Sequence, residues 1–226
     1  IKASTQYGVG VKSLTVLLNS GFALPIKKVR MLFTELFGYA INESTIVNNT
    51  ILCSKKLART EELIKEKLNN SEVGHSDETG VRVAGKLHWL HVFSNLFFTY
   101  LFVHPKRGKD ALNDDVSILP TYRGWVVHDC WSSYFNFKGI KHALCGAHIL
   151  RELYALSENG TVWAKWFDSY FRTLLHLTKQ NDGILTEKQQ DKALELFKKI
   201  CNHANKIEPL PETIAGKRGR PKATKA

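Results

Sequence analysis

The chain has 226 residues, of which 43% are hydrophobic and 23% are charged. These proportions exclude a mainly disordered or collagen-like chain and allow one sizeable domain or two small ones. The formal net charge of +11 favours a polyanionic partner, such as nucleic acid or an anionic membrane surface. The four cysteines are too few and too scattered for a secreted disulfide scaffold. Because the chain begins with Ile1 and has a single methionine, Met31, we expect it to be a fragment of a longer protein.

The first 70 residues are predicted to form a helical region. Pro25 is suited to open a helix, apolar residues recur behind it at helical spacing, and Gly38 follows as a stop. Asn42 is the predicted N-cap of a long helix that runs to about Asn70, and the second half of this helix is charged and amphipathic.

Strand patterns begin at residue 73. Residues 73–77 form a short extended run, and 81–84 fit a hairpin extension of it. The uncharged run 87–103 is shorter and more polar than a membrane-spanning helix, which needs about 20 apolar residues. Its aromatic and β-branched residues favour two strands, 87–93 and 97–103. No membrane segment is therefore expected, and we place the protein in the cytoplasm, associated with the nucleoid.

The second half of the chain continues the strand pattern and then becomes helical. A buried strand at 125–129 ends on an acid, and a fifth strand is predicted at 141–145. Helical patterns cover three segments: 147–160, 162–179 and 187–206. The order of elements in the core fits a ribonuclease-H-like α/β fold, a mixed sheet flanked by helices. We divide the chain into a helical region (1–70), a ribonuclease-H-like catalytic core (71–158), a C-terminal helical insertion (159–208) and a basic linker or tail (209–226).

Two acids end predicted strands that are neighbours in a ribonuclease-H-like sheet. Asp77 lies at the end of the first strand and Asp129 at the end of the fourth. Converging carboxylates at rigid strand ends bind hard cations such as magnesium, and such cations activate and stabilise oxygens in phosphodiester chemistry. The alternative is that both are ordinary turn residues, since Asp before Thr-Gly is common in turns.

The sequence resembles the insertion-sequence-66 family of bacterial transposases, the TnpC type. The resemblance is carried, in order, by ALPIKKVRMLFTELFGYAINESTI, HSDETGVRVAGKLHWLHVFSN, HPKRGKDAL, ILPTYRGWVVHDCWSSYF, KHALCGAHILREL and KRGRPK. It implies a DDE-type catalytic domain that uses magnesium or manganese, with Asp77 as the first acid and Asp129 as the second, both of them metal ligands.

The third acid of the DDE set is the point where the sequence departs from the family. In the family the final Glu lies in an Asn-Asn-x-x-Glu-Arg segment after the KRGRPK linker, and this sequence contains no such segment. Glu152, on the helix after the fifth predicted strand, is the alternative within the chain. Cys130 also stands where the family usually has Gly after the second acid.

Three further groups of residues have predicted roles. Cys145 and His148 form a Cys-x-x-His pair, but zinc needs four ligands, so we expect a structural or accessory role. A basic loop and the basic tail are predicted to contact DNA phosphates or a minor groove, the alternatives being a solvated turn and a plain linker. The predicted DNA-binding residues are Lys106, Arg107, Lys109, Arg218 and Arg220.

The sequence therefore predicts a transposase that cleaves the ends of an insertion sequence and joins them to target DNA, acting as a homo-oligomer on DNA. Two other interpretations stay open. One is a catalytically incomplete, DNA-binding fragment of a transposase, and the other is a ribonuclease-H-like nuclease of a different kind.

Overall fold

The computed structural model describes residues 7–209. The chain divides into two compact units, Ile1–Ala143 and Leu144–Ala226. In the part of the chain that is described, no helix combines the length and the apolarity that crossing a bilayer requires.

The first unit begins with the predicted helical region. It contains α1 (Val9–Val16), α2 (Ile26–Phe37) and α3 (Glu43–Asn69). The Asn42 side chain accepts the backbone N–H of Ser44 at the start of α3, which confirms the predicted N-cap. Four buried residues join these helices in a small core: Val29, Phe33, Ile41 and Ile46.

A five-stranded mixed sheet forms the centre of the first unit. Its strands are β1 (Val73–Val83), β2 (Lys86–Ser94), β3 (Thr99–His104), β4 (Trp125–His128) and β5 (Lys141–Leu144), in the order β3-β2-β1-β4-β5. Strand β2 is antiparallel to both β1 and β3, whereas β1 and β4 are parallel. This order and these directions confirm the predicted ribonuclease-H-like sheet.

Strand β1 is longer than predicted. We expected a strand ending at Asp77, because the sequence DETG is typical of a turn. Strand β1 instead continues to Val83, and a tight hairpin with positive φ at Ala84 and Gly85 leads into β2. The cross-strand pairs with β2 run from His75 to Val83, so pairing with β2 keeps β1 extended past the DETG sequence.

One face of the sheet is covered by a hydrophobic core. Leu68, from the last turn of α3, packs there with the short helix α4 (Lys109–Leu112) and the segments around β4. The largest fully buried side chains in this unit include Tyr122 and Tyr134, and the Tyr122 hydroxyl donates to the backbone carbonyl of Ser71 at 2.9 Å. This core fixes the starts of β1 and β4 side by side.

The second unit is helical. It contains α5 (Gly146–Glu158), α6 (Val162–Gln180) and α7 (Glu187–Ile207), close to the predicted bounds. Its core consists of Leu153, Ala164, Phe167, Tyr170 and Ile200. Helix α5 thus belongs to the same compact unit as α6 and α7, whereas the predicted division placed it in the catalytic core. The functional division of the chain stays a prediction.

Candidate active site

One predicted catalytic acid, Asp77, lies on β1, and the other, Asp129, is the first residue after the neighbouring strand β4. The parallel register between β1 and β4 pairs Val73 with Trp125 and His75 with Val127. Asp77 and Asp129 each lie two residues beyond this last pair. Strand β4 ends at His128, directly before Asp129. Strand β1 is longer and continues past Asp77 to Val83.

The two carboxylates have different surroundings. Asp77 is exposed, and its Oδ1 accepts the backbone N–H of Glu78 at 2.9 Å. The Asp129 side chain is 21% exposed, and its Oδ1 accepts the backbone N–H of Trp131 at 3.0 Å. Asp129 is therefore held by the chain that follows it, whereas Asp77 faces solvent.

Glu78, next to Asp77, is a functional candidate that the sequence analysis missed. Its side chain is completely buried, with Oε1 2.8 Å from Nε of Arg107 and Oε2 accepting the Tyr134 hydroxyl at 2.6 Å. Burial, together with the neighbouring charge of Glu78, raises the pKa of Tyr134. The alternation of side chains along a strand could have indicated this role. Successive side chains point to opposite faces of a sheet, so Glu78 faces the core if Asp77 is exposed.

Arg107 connects this buried acid to Asp129. Its guanidinium lies between two indole rings, 5.0 Å from the centre of Trp89 and 4.3 Å from that of Trp131. One of its terminal nitrogens, Nη2, is 3.8 Å from Oδ2 of Asp129. The predicted DNA-binding role of Arg107 stays a prediction, but this side chain is engaged within the protein, whereas Lys106 and Lys109 are exposed.

Buried histidines support the same region. His128 is fully buried, stacks on Tyr134 at 4.5 Å, and its Nε2 is 2.9 Å from Nδ1 of His142. Nε2 of His91 lies 3.3 Å from the backbone carbonyl oxygen of Lys106, and this contact holds the start of the basic loop. Burial lowers the pKa of both His91 and His128, so the neutral imidazoles are favoured.

Asp77 and Asp129 are the predicted ligands of a magnesium or manganese ion. Among residues 7–209, no group of three or more His, Cys, Asp and Glu side chains is arranged to hold a metal. Magnesium does not need such a cage, because proteins commonly bind it through one or two carboxylates, waters and substrate phosphates. A site of this kind needs no more protein ligands than Asp77 and Asp129, and their part in it stays a prediction.

The other predicted residues lie on α5 or outside the described part of the chain. Cys145 is the N-cap residue of α5. Burial acts to raise the pKa of its thiol, but the hydrogen bond to His148 and those to backbone outweigh this and lower it. Glu152 is exposed on the same helix. Arg218 and Arg220 lie outside the described residues.

Comparison with known proteins decides the family. Residues 4–220 match the model of the Transposase IS66 family. The chain belongs to this family. The match extends over nearly the whole sequence and confirms the resemblance carried by the ordered motifs. No curated protein sequence matches the chain.

A solved structure with some similarity to this IS66-family chain is the cryo-EM structure of the simian T-cell lymphotropic virus intasome in complex with PP2A regulatory subunit B56 gamma. That similarity is 10% sequence identity over 94% of this chain and 80% of that chain, with a TM-score of 0.28. At this TM-score the backbones differ too much for the likeness to bear on function. The ribonuclease-H-like assignment therefore rests on the strand order of the IS66-family chain itself.

Proposed function

We propose that this chain is the catalytic part of a DDE-type transposase that cuts DNA at the ends of an insertion sequence and transfers the freed strand to a target. The observation that supports the proposal is the parallel pairing of β1 with β4, whose last pair, His75 with Val127, lies two residues before Asp77 and Asp129, in a chain of a transposase family. Glu152 is the candidate third acid within the chain.

Magnesium or manganese is the expected cofactor, with Asp77 and Asp129 as its protein ligands. When bound, such a cation supplies Lewis acidity to the oxygens of a phosphodiester. The protein backbone orients the two carboxylates, because each accepts a backbone N–H. Asp129 is held through the N–H of Trp131, and the exposed Asp77 leaves room for the remaining oxygen ligands of the substrate.

DNA is the proposed substrate and partner. Lys106 and Lys109 are exposed on the loop that follows β3, and a neighbour of theirs in sequence, Arg107, reaches Asp129. Their ammonium groups are therefore available to phosphates close to the proposed reaction centre. Assembly as a homo-oligomer on the two ends of the element is part of the same proposal.

Removal of either acid is expected to abolish the chemistry. In D77N and in D129N we expect DNA cleavage to fall by about 100-fold or more, as for the loss of a group that stabilises transition-state charge. Calorimetric titration with Mn²⁺ should lose its binding signal in both variants. The substrate is an element-end duplex, supplied either intact or with a pre-cleaved 3′ end.

D115N is the matched control, since Asp115 is an exposed aspartate in the loop after α4. It should cleave DNA and bind Mn²⁺ like the wild type. Unchanged Mn²⁺ binding in both D77N and D129N would contradict the proposed site. Nicking by the wild type without strand transfer from the pre-cleaved end would indicate a nuclease of another kind.

A further inference from the structure

Glu78, beside Asp77, is an acid whose side chain is completely buried. We infer that Glu78 is a positioning residue that holds the positive charge of Arg107 away from Asp129 and so leaves the Asp129 carboxylate free to bind a divalent cation. It rests on the proposed function, because it assigns a role to Glu78 at the same site.

The contacts of Glu78 exclude it from the cation itself. Its side chain has no exposed surface, one carboxylate oxygen is paired with Nε of Arg107, and the other accepts the Tyr134 hydroxyl. Neither oxygen faces solvent. A buried acid in such an environment is paired with a positively charged side chain of the protein, here Arg107.

The distances within the cluster show which acid holds the guanidinium. Nε of Arg107 is 2.8 Å from Glu78, which is a hydrogen-bonded ion pair, whereas Nη2 is 3.8 Å from Asp129, beyond hydrogen-bonding distance. The rings of Trp89 and Trp131 flank the same guanidinium and limit its movement. Arg107 therefore approaches Asp129 without forming a close pair with it.

Loss of the Glu78 charge would change which acid the Arg107 guanidinium pairs with. Among residues 7–209, Asp129 would then be the one carboxylate left within reach of the guanidinium. A closer pair there would compete with a divalent cation for the same oxygens. Glu78 thus affects the cation site through Arg107. A role of this kind predicts that the effect of changing Glu78 depends on whether Arg107 is present.

The experiment measures the Kd for Mn²⁺ alone by calorimetry in the wild type, E78Q, R107Q, E78Q/R107Q and D129N. Glutamine keeps the size of Glu78 and can still accept the Tyr134 hydroxyl. We expect E78Q to weaken Mn²⁺ binding by about fivefold or more, because Arg107 then pairs with Asp129. In the R107Q background the same E78Q change should alter the Kd by less than about twofold.

E72Q serves as the control, since Glu72 is exposed just before β1 and loses the same charge. It should bind Mn²⁺ like the wild type. If a single variant fails to fold, judged by circular dichroism, the double variant E78Q/R107Q still decides the inference, because it buries no unpaired charge. It should bind Mn²⁺ at least as tightly as the wild type, and binding weaker by about fivefold overturns the inference.

The remaining outcomes separate this inference from the proposed function. Wild-type affinity in E78Q together with lost binding in D129N overturns the role of Glu78 and leaves the metal site standing. Equal weakening by E78Q with and without Arg107 shows that Glu78 acts through packing, which also overturns the inference. Wild-type affinity in D129N overturns the inference, and wild-type affinity in both D129N and D77N overturns the proposed metal site as well.

Discussion

At the residue scale, Tyr134 supports the buried acid of the candidate site. Its side chain is fully buried, its hydroxyl donates to Glu78 at 2.6 Å, and Ser76 lies 3.2 Å from the same oxygen. Because burial and the charge of Glu78 raise its pKa, the phenol stays protonated and remains a hydrogen-bond donor. The tyrosine therefore stabilises a carboxylate that has no contact with water.

Y134F tests this contact. Removing the hydroxyl deprives a buried carboxylate of one hydrogen bond, which we expect to lower the free energy of unfolding by about 1.5–3 kcal/mol. Urea denaturation followed by circular dichroism measures the change. The control is Y154F on α5, where the tyrosine is 58% exposed and the expected change is within about 0.5 kcal/mol. Equal effects of the two substitutions would show that the hydrogen bond to Glu78 contributes nothing.

At the element scale, the position of the two acids depends on how β4 begins. The backbone N–H of Trp125 donates to the carbonyl of Glu72 at 2.8 Å, and the carbonyl of Gly124 accepts the N–H of Lys141 at 3.0 Å. Gly124 therefore lies where the starts of β1, β4 and β5 meet. This junction fixes the start of the parallel register between β1 and β4, whose last pair, His75 with Val127, lies two residues before each acid.

G124A tests the junction. A Cβ at this position would lie 2.4 Å from the carbonyl oxygen of Glu72 and 2.5 Å from the Tyr122 hydroxyl oxygen, and backbone has little room to move away. We expect a loss of about 1–3 kcal/mol in the free energy of unfolding, as for overpacking in a core. Thermal or urea unfolding measures it.

The matched substitution is G80A, also in the sheet, where a Cβ would meet a Leu87 methyl group at 3.4 Å. That contact is ordinary, so little or no destabilisation is expected. If the G124A protein is as stable as the G80A protein, the β1–β4 junction accommodates the added Cβ with no loss in the free energy of unfolding.

At the scale of the whole molecule, positive charge is the dominant electrostatic property. The formal net charge is +11, and Lys106 and Lys109 place part of it in an exposed loop of the first unit. A protein that neutralises phosphates releases counterions, so its affinity for DNA falls as salt rises. The number of phosphate contacts can therefore be obtained from the slope of log K against the logarithm of the salt concentration.

K106Q/K109Q tests the basic loop. If each lysine contacts one phosphate, the slope of log K against log salt should become shallower by about 2. Fluorescence anisotropy of labelled duplex DNA over a range of salt concentrations gives the slope. K188Q/K198Q removes the same charge from exposed positions of α7 and should leave the slope within about 0.5 of the wild type. Identical slopes in the two double variants would place the DNA contacts elsewhere.

The amino-acid sequence by itself determined the elements and the family. Helix α3 was predictable from its Asn42 cap and its periodicity, and the five strands were predictable from their β-branched and aromatic residues, because these are local patterns. The succession of elements predicted a ribonuclease-H-like mixed sheet, and the observed order β3-β2-β1-β4-β5 confirms it. Asp77 and Asp129 were identifiable as candidates because each lies within a motif that resembles the IS66 transposases.

Only the tertiary structure decided how these residues are held. The length of β1 depends on its pairing with β2, which overrides the turn tendency of the DETG sequence. The ion pair of Glu78 with Arg107 joins residues 29 positions apart, and the hydrogen bond from Tyr134 to Glu78 spans 56. Contacts over such separations leave no periodic signal in a single sequence, because they arise only when the strands and loops have packed together.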